Sequence, residues 1–293
     1  MKNSDLLVVG ADGLIGGRLF AALTRSGVRV TGTSRRKNRA SSNCLFLDLT
    51  DSESLRVEAG RYSTAFLCAG IANMAVCEAD AESSRNANVI GTVNLAKRLL
   101  ALGTRTIFLS SNAVFDGNVL QPDEFAALCP STEYGRQKVE AEQGLLRLPG
   151  SREHLAVVRL SKTLSGNSGI AAEFLARLSA GESCRAFDDL RISPVSLDYV
   201  TQSIVAIAAS PLSGIFHLSG AEAVTYAEFA RRLANHIGAS ESLVRSCVSA
   251  DVGVKLPYKP ANPGLGMTRT RELLQIEPEP TEHVLTCVTG RTR

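Results

Sequence analysis

The chain has 293 residues, of which 44% are hydrophobic and 21% are charged, and its formal net charge at pH 7 is +3. This balance is that of a globular protein that buries a sizeable core, and it excludes a largely disordered chain. Lysine and arginine are scattered along the chain and form no basic block, so we expect neither nucleic acid nor a membrane surface as a partner.

The N-terminal segment contains only a short apolar run. Leu6–Val9 ends at Gly10 and is far too short for a signal peptide or a membrane span. The seven cysteines are widely spaced and include no Cys-x-x-Cys pair, which is typical of reduced thiols. We therefore expect a cytoplasmic protein without a disulfide framework.

The first half of the chain alternates short apolar runs with longer helical patterns, which is typical of βαβ units around a parallel sheet. The predicted strands are Leu6–Val9, Val28–Gly32, Cys44–Leu47, Thr64–Cys68, Thr106–Ser110 and Ala156–Leu160. The predicted helices are Leu14–Arg25, Ser84–Leu102 and Thr132–Leu148. The predicted fold class is α/β, a Rossmann-type doubly wound parallel sheet with a smaller C-terminal substrate lobe.

Beyond residue 165 the alternation is less regular. A helix is predicted at Gly169–Ala180 and a strand at Gly214–Leu218, and the proline-rich tail from Pro257 predicts an ordered, loop-rich segment. We expect a nucleotide-binding core over residues 1–165, to which residues 187–220 return. Residues 166–186 and 221–293 are expected to form the smaller lobe.

A glycine-rich turn follows the first predicted strand directly. Glycines let a backbone turn tightly and approach a pyrophosphate, whose charge then lies at the helix N-terminus. The spacing Gly-x-x-Gly-x-x-Gly differs from the standard fingerprint, and an ordinary flexible turn is the alternative interpretation. Its position between a strand and a helix favours a dinucleotide site. The residues expected to contact the dinucleotide here are Gly10, Gly13, Leu14, Ile15 and Gly16.

The end of the second predicted strand bears on which dinucleotide binds. In NAD-specific sites an acidic residue there holds the ribose, whereas a nearby arginine accommodates the 2′-phosphate of NADP. Ser34, Arg35 and Arg36 stand at this place without a carboxylate. This favours NADP(H) without excluding NAD(H), although a solvated basic loop would look the same. Asp48 and Leu49 are placed to meet the adenine, but Asp48 could equally cap a following helix.

Tyr134 and Lys138 lie four residues apart on a predicted helix, so their side chains share one helical face. A nearby ammonium lowers the pKa of a phenol and eases transfer of its proton to a developing alkoxide. Such a pair alone is weak evidence, since exposed Tyr-x-x-x-Lys pairs are common. A strand that ends in Ser110-Ser111 adds hydroxyls at the carboxyl edge of the sheet, where ligands bind in open α/β folds. Together these residues predict a Ser-Tyr-Lys site for hydride transfer at a carbonyl.

With these motifs the chain resembles the extended short-chain dehydrogenases/reductases, in particular the branch of dTDP-4-dehydrorhamnose reductases and related nucleotide-sugar reductases. The matching stretches cover nearly the whole chain and are the glycine motif, Cys68-Ala69-Gly70, Asn88, Ser110–Gly117, Tyr134 with Lys138, Arg191–Asp198 and Lys259–Leu265. The resemblance implies that Ser111 carries the active-site hydroxyl and that Tyr134 and Lys138 contact the cofactor. It implies further cofactor contacts from Cys68, Ala69, Gly70 and Asn88, and substrate contacts from Asn112, Ala113, Arg191 and Pro194.

The resemblance also implies an activity. NADPH would reduce a keto group of a nucleotide-activated sugar, Tyr134 would protonate the oxygen, Ser111 would orient the carbonyl, and the enzyme would form a homodimer. The chain departs from the branch pattern at Asn112-Ala113, which replaces Asp-Tyr, at Gln137, where a small hydroxyl residue is usual, and at Gly266, which replaces an aspartate. These departures leave the particular sugar undetermined.

Two other functions use the same residues. An epimerase or dehydratase with tightly held NAD is one alternative, and the missing carboxylate after the second strand argues against it. A regulatory subunit that binds NADP without catalysis is the other, and the retention of Ser111, Tyr134 and Lys138 argues against it.

No metal site is predicted from the histidines. His154, His217, His236 and His283 show no metal-ligand spacing with one another. The segment Glu277-Pro278-Glu279 could contact a cation, but we interpret it as a solvated tail. Cys68 and Cys129 are expected to be buried, unreactive thiols.

Overall fold

A computed structural model describes residues 5–51, 53–54, 60–254 and 256–290. The strands are β1 (Asp5–Val9), β2 (Val30–Ser34), β3 (Cys44–Phe46), β4 (Tyr62–Leu67), β5 (Arg105–Ser111), β6 (Leu155–Leu160), β7 (Lys162–Leu164), β8 (Cys184–Phe187), β9 (Arg191–Ile192), β10 (Pro194–Ser196), β11 (Gly214–Leu218), β12 (Val224–Thr225) and β13 (Val244–Cys247). The helices are α1 (Leu14–Arg25), α2 (Met74–Ala79), α3 (Ala81–Arg85), α4 (Thr92–Ala101), α5 (Glu133–Leu146), α6 (Ser151–His154), α7 (Gly169–Ser179), α8 (Leu197–Ala209), α9 (Tyr226–Ile237), α10 (Thr268–Leu274) and α11 (Thr281–Thr289). Within the described ranges, no helix has the length and apolar character that crossing a bilayer requires.

Seven strands form one sheet in the order β11-β6-β5-β4-β1-β2-β3. The pairs β1–β2, β1–β4, β2–β3 and β4–β5 are all parallel. The order 3-2-1-4-5-6 within this sheet is that of doubly wound dinucleotide-binding folds, which bind ligands where the strand order reverses. The reversal lies between β1 and β4, so the turns after these two strands are neighbours. The predicted Rossmann-type α/β fold class is confirmed.

The first of two compact units comprises Met1–Val114, Leu128–Arg159 and Thr201–Phe216. Its core forms because β-strand side chains and the apolar stripes of α4 and α5 bury one another. The largest contributors are Leu7, Leu95, Leu99, Phe108, Leu145 and Leu155. Full burial of each such side chain contributes about 1.5–3 kcal/mol to the free energy of unfolding.

The second unit comprises Phe115–Ala127, Leu160–Val200 and His217–Arg293. It contains three two-stranded sheets, β7–β10, β9–β12 and β8–β13. Its core is built by α7, α9 and α11 and includes Phe174, Leu178, Phe229, Leu233, Val284 and Leu285. A capping box begins α9, because the Thr225 side chain accepts from the backbone N–H of Glu228 and the Glu228 side chain accepts from that of Thr225.

These units divide the chain differently from the predicted core and lobe. Of residues 187–220, which were expected to return to the core, 201–216 belong to the first unit and the rest to the second. The reason is strand pairing, since β9 pairs with β12 and β10 with β7. Residues 115–127, which lie within the predicted core, belong to the second unit.

The prediction of a loop-rich tail beyond Pro257 holds for residues 257–267, which form no helix or strand, and is wrong for the rest. This segment contains α10 and α11. Pro280 precedes α11 as its N-cap residue, where a proline does not interrupt helical hydrogen bonds. The apolar residues Val284, Leu285 and Val288 then pack into the core of the second unit.

Candidate active site

The glycine-rich turn between β1 and α1 is packed so tightly that Gly10 and Gly16 leave no room for a side chain. Gly10 has a φ of +84°, and a Cβ there would lie 2.8 Å from the backbone of Ala69. A Cβ on Gly16 would lie 2.2 Å from the carbonyl oxygen of Gly10. Among the described residues no side chain caps α1, and its first turn holds no acidic residue. An uncapped helix N-terminus after a tight glycine turn is the arrangement that binds a phosphate, so the turn fits the diphosphate of a dinucleotide.

A carboxylate from the glycine turn reaches the end of β2. The Ser34 hydroxyl donates to Oδ2 of Asp12 over 2.9 Å, and the backbone N–H of Arg36 donates to the Ser34 hydroxyl over 3.0 Å. Nε of Arg36 lies 3.4 Å from the same Asp12 oxygen, whereas Arg35 is exposed. Sequence reasoning missed Asp12, because its closeness to Ser34 depends on β1 and β2 lying side by side.

Asp48 closes a local turn. Its Oδ1 accepts from the backbone N–H of Thr50 over 2.9 Å and from the Thr50 hydroxyl over 2.8 Å. A helix that Asp48 could cap would involve residues 52 and 55–59, which lie outside the described residues. Leu49 packs against the core of the first unit, and a Cβ on Gly91 would lie 1.9 Å from its carbonyl oxygen. Adenine contacts by Asp48 and Leu49 stay a prediction.

Asn88 links the turn after β4 to helix α5. It lies in a π-helical segment, Asn86–Gly91, a type of distortion that is frequent at functional sites. Its Oδ1 accepts from the N–H of Ile71 over 2.7 Å, and its Nδ2 donates to the Ile71 carbonyl over 3.0 Å. Nδ2 also donates to Oε1 of Gln137 over 2.8 Å. These contacts fix the turn Cys68-Ala69-Gly70 and give the unusual Gln137 a structural role.

The side chains of Ser111 and Tyr134 lie close enough for the Ser111 hydroxyl to lower the pKa of the Tyr134 phenol. Ser111 ends β5, and Tyr134 lies in the first turn of α5, whose N-cap Thr132 accepts from the N–H of Gly135 over 3.0 Å. A Cβ on Gly135 would lie 2.2 Å from the carbonyl oxygen of Ala113. Glycine therefore lets α5 approach the backbone just after Ser111, which brings the two hydroxyls together. The Ala113 methyl group is fully buried against Tyr134.

Lys138 lies one helical turn after Tyr134 and is buried. Its Nζ donates to the carbonyl of Leu109 over 2.8 Å and lies 5.8 Å from the centroid of the Tyr134 ring. Burial lowers the pKa of Lys138 to about 8, and the attraction of Glu142 opposes this shift. Lys138 can therefore carry its charge at neutral pH.

The pKa of Tyr134 shifts in the direction opposite to the one expected. Burial raises it to about 12, and the hydrogen bond with Ser111 opposes this only in part. The cost of removing a phenolate from water outweighs stabilisation by neighbouring groups. The phenol therefore keeps its proton at neutral pH, which suits a proton donor.

A buried ion pair between Glu142 and Arg159 lies next to Lys138. Glu142 follows Lys138 by one turn on α5, and both Glu142 and Arg159 are 1% exposed. Nη2 of Arg159 donates to Oε2 of Glu142 over 2.7 Å and its Nε to Oε1 over 3.1 Å, and the Ser110 hydroxyl donates to Oε1 as well. In the sequence, Arg159 stands out as a charged residue inside the apolar strand Leu155–Leu160, but the sequence alone does not show that Glu142 is its partner.

The residues predicted to bind substrate lie in different units. Asn112, in the first unit, accepts from the Ser111 hydroxyl over 3.4 Å. In the second unit Arg191 is exposed on β9 and donates to the carbonyl of Ala223 over 2.9 Å. Pro194 is buried at the start of β10, where a Cβ on Gly220 would lie 2.4 Å from its carbonyl oxygen. Their contacts with a substrate stay a prediction.

The expectation that Cys68 is unreactive agrees with the structure, because burial raises the pKa of its thiol to about 12. Two other expectations need correction. Cys129 is exposed rather than buried, because it lies in irregular chain before α5. Glu279 is 2% exposed and is not part of a solvated tail, because the N–H and hydroxyl of Ser196 both donate to it.

Known proteins resemble this chain over most of its length. The family model described as RmlD substrate binding domain matches residues 4–292. A dTDP-4-keto-6-deoxy-D-glucose reductase of Streptomyces niveus is 30% identical over 246 residues, which cover 82% of this chain and 81% of that protein. Methionine adenosyltransferase 2 subunit beta of Xenopus laevis is 25% identical over 287 residues, 91% of this chain and 81% of that protein. The crystal structure of a dTDP-4-dehydrorhamnose reductase from Bacillus anthracis in complex with NADP has the same fold, with a TM-score of 0.84, 20% identity and 99% of each chain covered.

Proposed function

Because the chain belongs to the RmlD substrate binding domain family, we propose that it reduces a keto group of a nucleotide-activated sugar with NADP(H). The observation that carries this proposal is the placement of Ser111 beside the Tyr134 phenol, with buried Lys138 one helical turn away, 5.8 Å from the centroid of the Tyr134 ring. These three residues lie in the same unit as the glycine turn. The names of the Streptomyces and Bacillus proteins, both reductases of dTDP-linked sugars, support the substrate class.

Ser111, Tyr134 and Lys138 have different roles in the proposed reaction. Reduced nicotinamide, when bound, supplies the hydride that the carbonyl carbon accepts. Ser111 and Tyr134, whose hydroxyls lie near each other, can both donate to one carbonyl oxygen and so orient and polarise it. Tyr134 then gives its proton to that oxygen as negative charge develops. Lys138, anchored by the carbonyl of Leu109, stabilises the phenolate that remains.

Net consumption of NADPH tests this function. Purified protein is mixed with NADPH and a dTDP-linked 4-keto-6-deoxy sugar, and the loss of NADPH absorbance is compared with the alcohol formed. Equal amounts are expected for a reductase. Conversion of the sugar without added nucleotide would instead indicate an epimerase or dehydratase with bound NAD. Tight NADP binding without any turnover would instead indicate a non-catalytic regulatory subunit; the Xenopus relative is named as a subunit of methionine adenosyltransferase 2.

The pH dependence of the rate should follow Lys138. Its pKa of about 8 lies below its ordinary 10.5, so the cation is present below about pH 8 and is lost above it. We expect kcat/KM to fall above this pH, whereas Tyr134, with a pKa of about 12, stays protonated. A Lys138→Arg variant keeps its charge and should lose the fall even if it is slower. A wild-type profile that stays flat to pH 10 would contradict this role.

The same shift predicts how stability varies with pH. Between about pH 8 and 10.5 the unfolded chain binds more protons at Lys138 than the folded protein does. The contribution of Lys138 to the free energy of unfolding therefore rises with pH through this window. Urea unfolding of wild type and Lys138→Met at several pH values would measure this effect: the free energy of unfolding of wild type minus that of the variant should rise from about pH 8 to about pH 10.5.

Cofactor preference should depend on the contacts of Asp12. We propose that the 2′-phosphate of NADP(H) takes over Ser34 and Arg36, which Asp12 now engages. Loss of a charge-assisted hydrogen bond costs about 1.5–3 kcal/mol, so Arg36→Ala should weaken NADPH binding about 10- to 100-fold and NADH binding much less. Asp12→Asn removes a competing negative charge and should strengthen NADPH binding.

Fluorescence titration with both nucleotides measures these effects. Arg39→Ala is the matched control, because Arg39 is an exposed arginine in the next turn of chain. Equal losses of NADPH and NADH affinity in Arg36→Ala would contradict the proposed contact between Arg36 and the 2′-phosphate.

Two further features belong to this proposal. We place the enzyme in the cytoplasm, which the seven free cysteines support. The homodimer that the family resemblance implies is a prediction that sedimentation of the purified protein would check.

A further inference from the structure

Three side chains that bind metals in other proteins share one face at the C-terminal end of the chain. Glu279, His283 and Cys287 are spaced four residues apart, and one ligand atom from each lies within 4.8 Å of the others. We propose that His283 and Cys287 chelate a thiophilic divalent cation such as Zn²⁺, with Glu279 holding the imidazole in place. All three residues belong to the second unit, so the proposal is independent of the reductase function.

The two proposed ligands are already close to chelating geometry. Nε2 of His283 lies 3.8 Å from Sγ of Cys287. Tetrahedral zinc, with Zn–N of about 2.0–2.1 Å and Zn–S of about 2.3 Å, separates such donors by about 3.6 Å. A pair of ligands four residues apart on a helix is also the arrangement that binds zinc in helical metalloprotease motifs. Only a small side-chain movement is therefore needed.

Glu279 orients the histidine. Its Oε1 lies 2.5 Å from Nδ1 of His283, and the N–H and hydroxyl of Ser196 hold the carboxylate from the other side. A hydrogen on Nδ1 leaves the lone pair of Nε2 directed toward the Cys287 side. This carboxylate–histidine–metal arrangement is the usual one around metal-binding histidines, where the carboxylate fixes the tautomer and raises ligand basicity.

Charge and access also favour a cation. The Glu279 side chain is 1% exposed, so its negative charge is poorly solvated, and a dication on the far side of the imidazole would offset this. The His283 side chain is 56% exposed, which leaves a path from solvent. Sulfur and imidazole donors select Zn²⁺ or Co²⁺ over Mg²⁺ and Ca²⁺. Two protein ligands leave the remaining positions to water.

Cobalt spectroscopy of the full-length, metal-free protein tests the proposal. We expect an equimolar Co²⁺ complex with a sulfur-to-cobalt charge-transfer band that Zn²⁺ removes and Mg²⁺ does not. Cys287→Ser should abolish the band, and His283→Gln should weaken Zn²⁺ binding at least tenfold. Both positions are partly or largely exposed, so these variants should fold. Cys247→Ser, a partly buried cysteine of the same unit outside the cluster, is the matched control and should keep the band.

Two results would overturn the metal site. One is a charge-transfer band that persists in Cys287→Ser. The other is Zn²⁺ affinity in wild type no greater than in the Cys287→Ser/His283→Gln double variant. If, in that second case, iodoacetamide alkylates Cys287 faster than Cys247, the cluster is instead a histidine-activated thiol.

Discussion

Replacement of Tyr134 by phenylalanine should lower the rate of ketone reduction by about 10²- to 10⁴-fold, the usual contribution of a positioned general acid. The substitution removes only the hydroxyl that lies beside Ser111 and that, in our mechanism, donates to the carbonyl oxygen. The ring that packs against Ala113 and Cys77 is retained. We therefore expect the loss in kcat, with the fold and NADPH affinity nearly unchanged.

Tyr226→Phe is the matched control for this experiment. Tyr226 is 8% exposed and Tyr134 is 9% exposed, but Tyr226 lies in the core of the second unit. The control variant should reduce substrate at close to the wild-type rate. Equal rates for Tyr134→Phe and wild type would contradict Tyr134 as the proton donor, whereas loss of NADPH binding in Tyr134→Phe would indicate that the hydroxyl serves the predicted cofactor contact.

Replacement of Glu142 by glutamine should lower the free energy of unfolding by about 3–5 kcal/mol, the usual cost of breaking a buried ion pair from one side. The Arg159 guanidinium, 1% exposed, would then keep its charge and lose its ion pair with Glu142. Glutamine has nearly the same size as glutamate, so the effect isolates the charge. Urea unfolding with unchanged m-values would measure it.

The same helix offers a control for this ion pair. Glu140 pairs with Arg85 at the surface, where the two side chains are 43% and 44% exposed, so Glu140→Gln should cost no more than about 1 kcal/mol. A double variant with methionine in place of both Glu142 and Arg159 should recover much of the lost stability, because neither position then holds a buried charge. A loss below about 1 kcal/mol in Glu142→Gln would contradict this account.

Glu142→Gln should also change the pH profile of the enzyme. The attraction of Glu142 raises the pKa of Lys138 against the effect of burial. Without that charge the pKa of Lys138 should fall further, and the decline of kcat/KM should begin at lower pH. A decline that stays near pH 8 in this variant would show that the charge of Glu142 does not affect the pKa of Lys138.

The sequence by itself determined the family and several of the local elements. The predicted bounds of α1 and β11 match the structure, and the resemblance to reductases of the RmlD branch is confirmed by the family match. Residue periodicity, glycine and helix capping act over a few neighbouring positions, so the chain order alone contains this information. The four-residue spacing of Tyr134 and Lys138 is also local information that the chain order contains.

Only the tertiary structure decided which distant groups meet and how deeply they are buried. Asp12 contacts Ser34 because β1 pairs with β2, and Glu142 meets Arg159 because α5 packs against the sheet. The predicted depression of the Tyr134 pKa was reversed, since desolvation depends on atoms that the whole unit brings around the phenol. Contacts and dielectric surroundings arise from packing between segments far apart in sequence, and no local pattern encodes them.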